Sequence, residues 1–257
     1  MSKATRRKII RKSGFERTIR GLRSDISQLV AAGHHAARLN RGQPQTPDMV
    51  FIWIPKTAGT SVYEVLRHHY GMKKLKTIDT CFSFPQRGAV TFGHMSYNDL
   101  LATGVVHEGF SKRAYKFSFV RCPYARAVSL FNYLKQTGAL DADLCFHAFL
   151  DDVHRARPAV GMYNVAGLSQ TNPQVDWLIG ADGAFVTDEI FKLEDMGEFC
   201  RALEARFGIA PEVDRKNVSE KQVLMDEIAE DREVLEKIEE IYKRDFDILG
   251  YDRISSP

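Results

Sequence analysis

The sequence predicts a three-layer α/β protein, with a central, mostly parallel sheet between helices and a helical extension at the N-terminus. Strand-sized apolar runs alternate with helical patterns along the 257 residues, and strands separated by helices favour parallel pairing through right-handed crossovers. Hydrophobic residues make up 44% and charged residues 27% of the chain, which is ordinary globular usage and excludes collagen-like and disordered classes. No apolar run approaches the roughly 18 residues that a membrane span needs.

The first 46 residues differ from the rest of the chain in charge and pattern. Residues 1–24 hold nine basic residues and one acidic residue, whereas the remainder has a net charge of −5. Such an arm fits an anionic partner (a polyanion, an anionic membrane surface or a nucleic acid), and it fits a solvated tail equally well. An apolar stripe over residues 15–30 predicts a helix, and no apolar run follows the charges as it would in a secretory signal. Residues 40–47 read as a linker, so we expect an extension at 1–46 and one domain at 47–257.

Within this domain, strands and helices are predicted in alternation. The expected strands are 49–54, 89–92, 115–120 and 184–192, and the expected helices are 60–70, 123–135, 196–207 and 220–246. Ser219 is the expected N-cap of the last helix. The four cysteines (Cys81, Cys122, Cys145 and Cys200) form no C-x-x-C pair and have no zinc-like spacing, so reduced thiols in a cytosol-like compartment are expected.

The stretch Pro55-Lys-Thr-Ala-Gly-Thr-Ser61 carries the first chemical signal. A strand leads into a short turn, and the turn opens a helix whose first amides lack partners and whose dipole is positive at that end. This geometry suits phosphate or sulfate; Gly59 lets the backbone approach the anion, and Lys56 supplies a positive charge. Hydroxyl donors are available from Thr57, Thr60 and Ser61. A Walker ATPase fits poorly, because Lys56 precedes the only glycine and no acidic strand end is evident for Mg²⁺.

A second anion site is predicted at the end of the strand 115–120. Arg121 follows that strand and is expected at the carboxyl edge of the sheet, where open α/β sheets bind ligands. Its guanidinium can bind a phosphate through two hydrogen bonds, and Ser129, about two turns into the next helix, can reach the same anion. Arg126 is a further candidate, although a surface salt bridge suits it equally. Two such pockets on neighbouring strand ends suit a ligand with two separated phosphate groups.

These motifs resemble those of the sulfotransferase superfamily, whose members use 3'-phosphoadenosine 5'-phosphosulfate (PAPS). The first is similar to that family's 5'-phosphosulfate loop, and the second to its 3'-phosphate site. Three further stretches resemble the carbohydrate-type branch of heparan and chondroitin sulfotransferases and bacterial relatives: Phe92-Gly-His-Met-Ser-Tyr97, Phe191-Lys-Leu-Glu-Asp195, and Asn217-Val-Ser219 with the closing helix to Tyr251. The likeness spans residues 49–251 and departs from the family at Cys122, where Asn or Asp is common.

The resemblance implies a PAPS-dependent sulfotransferase that acts on a hydroxyl, with a carbohydrate favoured as the acceptor. It assigns donor binding to a P-loop-like loop and to the second motif, namely to Lys56, Thr57, Ala58, Gly59, Thr60, Ser61, Arg121 and Ser129. Lys56 would stabilise charge that builds on the departing 5'-phosphate, and no metal is expected. Because no membrane anchor is seen, a bacterial, cytoplasmic protein is expected, and the oligomeric state stays open.

Transfer to a hydroxyl requires a base, for which His94 is the first candidate. The imidazole of histidine titrates near physiological pH, so its neutral form is available as a base, and the resemblance places a proposed base in this segment. A structural histidine is the alternative, and Glu64 is the second candidate base. Tyr97 and the segment 155–174 are expected either to line the acceptor cleft or to be ordinary surface. The polar and aromatic residues of that segment are Arg157, Tyr163, Asn164, Gln170 and Asn172.

Two functions of other classes stay open. A small-molecule kinase related to P-loop enzymes would need ATP and Mg²⁺, and the position of Lys56 together with the pair Arg121 and Ser129 argues against it. A non-catalytic protein that binds polyanions through its basic arm would leave both anion motifs unexplained.

Overall fold

The computed structural model describes residues 46–155, 168–208 and 228–254. The predicted basic arm and its helix lie outside these ranges, as do Arg157, Tyr163 and Asn164 of the polar segment and the stretch that ends at Ser219. Apart from Phe82–Pro85, the described residues belong to one compact unit, Thr46–Cys81 together with Gln86–Pro257.

Five parallel strands form one sheet in the order β2-β3-β1-β4-β5. They are β1 (Met49–Ile52), β2 (Lys73–Lys74), β3 (Ala89–Thr91), β4 (Tyr115–Val120) and β5 (Glu189–Lys192). Helices flank this sheet, so the predicted α/β architecture is confirmed. Strand β4 has the predicted bounds, and β1 lies at the centre, where Met49 pairs with Ala89 on one side and with Tyr115 on the other. Strand β2 was not predicted, because two residues carry no readable alternation.

The helices follow the strands in the order expected of such a fold. They are α1 (Gly59–Tyr70), α2 (Ile78–Phe82), α3 (Tyr97–Ala102), α4 (Glu108–Arg113), α5 (Pro123–Gln136), α6 (Phe146–Arg155), α7 (Val175–Leu178), α8 (Met196–Phe207), α9 (Arg232–Ile241) and α10 (Lys243–Leu249). Helix α8 has the predicted bounds and ends at Gly208, whose amide donates to the carbonyl of Glu204 at 2.8 Å.

Two predicted elements were wrong in extent. The helix expected over 220–246 is interrupted twice in its described part. The Asp231 carboxylate accepts a hydrogen bond from the amide of Val234 and caps a new helix, and that helix ends at Tyr242, before α10 begins. The strand expected over 184–192 is reduced to β5. A turn precedes it, in which the Gly180 amide donates to the Ala184 carbonyl at 2.8 Å.

Apolar side chains form two cores in the described part of the chain. One lies between the sheet and the helices α1 and α8 and contains Phe51, Phe117 and Phe199. The other joins α5, α6, α9 and α10. No helix within the described ranges combines the length and the apolar character that crossing a bilayer requires. All four cysteines carry free thiols.

Candidate active site

Cationic and titratable side chains follow four neighbouring strands at the carboxyl edge of the sheet. Lys74 ends β2, His94 comes three residues after β3, Lys56 comes four residues after β1, and Arg121 directly follows β4. Because the strand order is β2-β3-β1-β4, these four positions follow one another along the edge. Ligands of open α/β sheets bind at this edge. The structure thus brings together three residues that separate motifs had indicated, and it adds Lys74.

The loop after β1 has a backbone that is shaped for an anion. Lys56 and Ala58 have left-handed φ angles of 70° and 58°, and Ala58, as the N-cap of α1, makes no side-chain capping bond. The first amides of α1 are therefore left to other acceptors, at the positive end of the helix dipole. Gly59 is required here, because a Cβ at this position would lie 1.7 Å from Nε1 of Trp53.

The side chains of this loop differ in what they can offer. Thr57 is buried and its hydroxyl donates to the Ile54 carbonyl at 3.0 Å. In this conformation the hydroxyl hydrogen stabilises the loop, whereas the sequence predicted that it would donate to an anion. Thr60 and Ser61 are exposed in the first turn of α1. Lys56 is half-buried, with Nζ 4.1 Å from the ring centroid of Tyr133 on α5. This cation–π contact holds the ammonium against α5, the helix that also carries Ser129.

Arg121 is positioned through its backbone by a side chain that is distant in sequence. The Arg121 amide donates to Oε1 of Gln174 at 2.8 Å, and the Arg121 carbonyl accepts from Nε2 of Gln174 at 2.9 Å. Burial lowers the pKa of the guanidinium, an effect that the charge of Glu194 opposes. Within the described part of the chain, the guanidinium makes neither a hydrogen bond nor an ion pair, which leaves its donors for a ligand.

The Asp245 carboxylate fixes the position of Gln174, which in turn fixes the backbone of Arg121. Its buried carboxylate accepts from the Gln174 amide at 2.9 Å, from the Gln174 side chain at 3.2 Å and from the Val175 amide at 3.1 Å. Burial raises the pKa of this carboxyl, while the nearby Arg126 charge and the hydrogen bonds oppose the rise. The roles of Gln174 and Asp245 were not predicted; an acidic residue beside Phe246 in the closing helix was the available signal.

Arg126 is buried, so its interpretation as a surface salt-bridge residue was wrong. Its guanidinium donates to the carbonyls of Pro55, Asn172 and Gln170 at 3.1, 3.0 and 2.9 Å. These bonds connect the loop after β1 to the segment that precedes α7. Ser129 lies three residues further along α5, is 5% exposed, and its hydroxyl bonds to no described residue.

His94 is fixed in orientation at the end of β3. Nδ1 lies 2.9 Å from the Trp53 carbonyl, and since a carbonyl only accepts, Nδ1 carries the hydrogen and Nε2 the lone pair of the neutral ring. The Trp177 indole donates to the His94 carbonyl at 3.2 Å. Burial, and next the positive charges of Lys74, Lys56 and Arg126, lower the pKa of His94 to about 4, although the bond to Trp53 opposes the shift.

The other predicted residues take structural or surface positions. Glu64 is exposed and forms an ion pair with Arg67 at 2.8 Å. The Tyr97 hydroxyl is directed to Oγ of Ser111 at 3.0 Å, so this buried side chain does not line an open cleft. Gln170 and Asn172 of the polar segment are buried. No group of His, Cys, Asp or Glu that could hold a metal ion occurs among the residues 46–155, 168–208 and 228–254.

Comparison with protein-family models identifies the family of the chain. The family model described as "Sulfotransferase family" matches residues 44–252, and the chain therefore belongs to the sulfotransferase family. Among solved structures, a sulfotransferase from Alicyclobacillus acidocaldarius matches with 15% sequence identity and a TM-score of 0.41, over 81% of this chain and 100% of that chain. A search of the curated proteins finds no match.

Proposed function

We propose that this sulfotransferase uses PAPS as its donor substrate and sulfates a hydroxyl of a carbohydrate. The observation that carries the donor assignment is the pairing of two anion sites on the adjacent strands β1 and β4. One is the loop of Lys56 with the uncapped start of α1, and the other is the guanidinium of Arg121. Neighbouring strands lie about 4.8 Å apart, so a single nucleotide with phosphate groups on the 3' and 5' oxygens of its ribose can occupy both sites.

Each residue then has a role that follows from its position. Lys56 and the amides of Gly59, Thr60 and Ser61 bind the 5'-phosphosulfate and stabilise the charge left on its phosphate. Arg121 binds the 3'-phosphate, with Ser129 as a further hydroxyl donor from α5. Ala58 and Thr57 contribute through the backbone of the loop. No metal ion takes part in these contacts, since the cationic groups are supplied by the chain.

His94 is the proposed general base. The acceptor oxygen forms its bond to sulfur as the bond from sulfur to the phosphate oxygen breaks; the electron pair stays on that oxygen, and the acceptor proton passes to Nε2 of His94. Burial lowers the pKa of His94, and three positive charges lower it further; an anionic donor beside Lys56 would offset part of the effect of the charges and make the imidazole a stronger base. Glu64 suits this role less well because it is exposed and paired with Arg67.

The donor assignment is tested by titrating the protein with 3'-phosphoadenosine 5'-phosphate (PAP), AMP and ATP–Mg²⁺ in a thermal-shift assay. We expect PAP to stabilise most, because only PAP fills both anion sites; at about 100 times its Kd it adds roughly 2.7 kcal/mol. Lys56→Ala should weaken PAP binding and lower turnover with PAPS by orders of magnitude, with folding retained. Stabilisation by ATP–Mg²⁺ in place of PAP would instead support a kinase, and full activity of the Lys56 variant would refute the mechanism.

A further inference from the structure

Lys74 lies on the side of the site that the donor leaves open. In the proposed function, the donor occupies the ends of β1 and β4, and the base stands at the end of β3. The nucleophile and the leaving oxygen must be roughly in line in such a transfer, so the acceptor approaches from the β3 and β2 side. Lys74 is the last residue of β2 and therefore stands on that side.

The ammonium of Lys74 is close to the base and rests on an aromatic surface. Its Nζ is 3.6 Å from the ring centroid of Trp53 and 5.5 Å from that of Tyr63. The Trp53 and His94 ring centroids are 5.3 Å apart, so these separations place the ammonium within about 9 Å of the imidazole centroid. The positive charge of Lys74 also contributes to lowering the pKa of His94.

This ammonium has no carboxylate partner within the described ranges. It forms no ion pair there. The charge of Glu64 raises the pKa of Lys74, but the Glu64 carboxylate is itself paired with Arg67. Burial lowers the pKa of Lys74 and the charge of Lys76 lowers it further. A half-buried ammonium that rests on an indole and has no ion-pair partner among the described residues can attract an anionic group of a ligand.

The Lys74 site is separate from the donor site. Strands β2 and β4 are three strand spacings apart in the sheet, which is about 14 Å at about 4.8 Å per strand. Lys74 and Arg121 therefore do not share one phosphate. The phosphosulfate is assigned to the loop of Lys56 after β1, which is two strand spacings, or about 10 Å, from β2. We therefore assign the anion at Lys74 to the other substrate.

We propose that Lys74, on the face of the Trp53 ring, binds an anionic group of the acceptor, a carboxylate or a sulfate ester, while a hydroxyl of the same acceptor faces His94. This inference rests on the proposed function and deepens it: the acceptor is an acidic saccharide, and Lys74 is a residue that determines specificity. The bound anion offsets the positive charge at Lys74, and the flat indole supports the apolar face of a sugar ring.

The test uses transfer from PAPS to three probes: unsulfated chondroitin, which carries uronate carboxylates; the same polymer after carboxyl reduction; and carboxyl-reduced chondroitin sulfate. The variants are Lys74→Met and Lys74→Arg. Lys73→Met is the matched control, because Lys73 is exposed on the same strand and alternate residues of a strand point to opposite faces. Binding of PAP to each protein is measured in parallel.

We expect wild-type protein to have at least about a tenfold lower KM for an anionic probe than for the neutral polymer, the size of one charged hydrogen bond. Lys74→Met should remove this preference with kcat little changed, Lys74→Arg should retain most of it, and Lys73→Met should behave as wild type. Preference for the unsulfated polymer identifies the carboxylate, and preference for the sulfated one identifies the sulfate ester.

Three results would overturn the inference: equal KM for all three probes, an equal loss on all probes in Lys74→Met, or normal PAP binding with no transfer to any probe. Failure of wild-type protein to bind PAP is a different result, since it would refute the proposed function itself.

Discussion

Removing the Gln174 side chain should weaken the proposed 3'-phosphate site and leave the proposed phosphosulfate loop unchanged. Gln174→Ala deletes two hydrogen bonds to the backbone of Arg121 and one to Asp245. At about 1 kcal/mol for each bond, the free energy of unfolding should fall by about 3 kcal/mol. Arg121 would keep its charge but lose the bonds that fix its backbone beyond the end of β4.

The assay compares two nucleotides that differ only at the 3' position. PAP has a 3'-phosphate and AMP has none, so the ratio of their affinities reports the contribution of Arg121. In Gln174→Ala we expect PAP affinity to fall about tenfold, or about 1.4 kcal/mol, and AMP affinity to stay unchanged. Arg121→Ala should lower the same ratio further, by the roughly 1.5–3 kcal/mol of a hydrogen bond to a charged group.

Gln170→Ala is the matched control for Gln174→Ala. Gln170 is also buried and lies in the same segment, but its Nε2 makes no hydrogen bond to any residue that the structure describes, and its bond to Arg126 uses the backbone carbonyl. This variant should keep the wild-type ratio of PAP to AMP affinity. Calorimetric titration measures both ligands, and urea unfolding measures stability. If Gln174→Ala lowered AMP and PAP affinity in proportion, or left both affinity and stability unchanged, the assignment of Gln174 to the 3'-phosphate site would be refuted.

Two further predictions concern the loop and the base. Gly59→Ala should destabilise the protein by about 1–3 kcal/mol through overpacking against Trp53 and should abolish PAP binding, whereas Gly109→Ala, which meets no atom closer than 4.0 Å, should leave the melting temperature near wild type; equal melting temperatures for both would contradict the close approach of loop and indole. The lowered pKa of His94 means that the unfolded chain binds this proton more readily, so stability from the neutral imidazole is complete above pH 6.5 and is lost as the pH falls through about 4. The loss approaches about 3 kcal/mol, from 1.36 kcal/mol per unit of pKa. His94→Gln should show a smaller fall in urea-unfolding free energy between pH 7 and pH 4 than wild type and the exposed-site control His68→Gln, and an identical fall in all three would argue against a buried neutral His94.

The predictable parts of the candidate site are those whose residues are contiguous in the sequence. A strand, a short turn with glycine and a helix start identify the loop of Lys56, and a strand that ends in arginine before a proline-initiated helix identifies Arg121. Parallel strands then bring these motifs to one edge. His94 was proposed from its segment, but its tautomer depends on the carbonyl of Trp53, 41 residues earlier, and its lowered pKa depends on burial.

The residues whose roles were misread or missed act through partners distant in the chain. Arg126 bonds to carbonyls 46 and 71 residues away, and Asp245 bonds to an amide 71 residues away. Neither distance leaves a period or a spacing in the sequence, so a buried arginine reads like any arginine on a helix. Lys74 was missed for a different reason: a two-residue edge strand has no pattern, and its meaning comes only from its place beside β3.

These distant bonds have a physical reason in the position of the site. At the end of β4 the ladder of backbone hydrogen bonds stops, yet the amide and carbonyl of Arg121 still require partners. A further strand residue could pair them only by covering the edge that the ligand must reach. The Gln174 carboxamide presents one acceptor and two donors, so it pairs both backbone groups of Arg121 from one side, and its own position is fixed by the buried carboxylate of Asp245. The edge therefore stays open while its backbone is satisfied, and this requires a buried charge in the closing helix, even though an apolar residue there would cost less to bury.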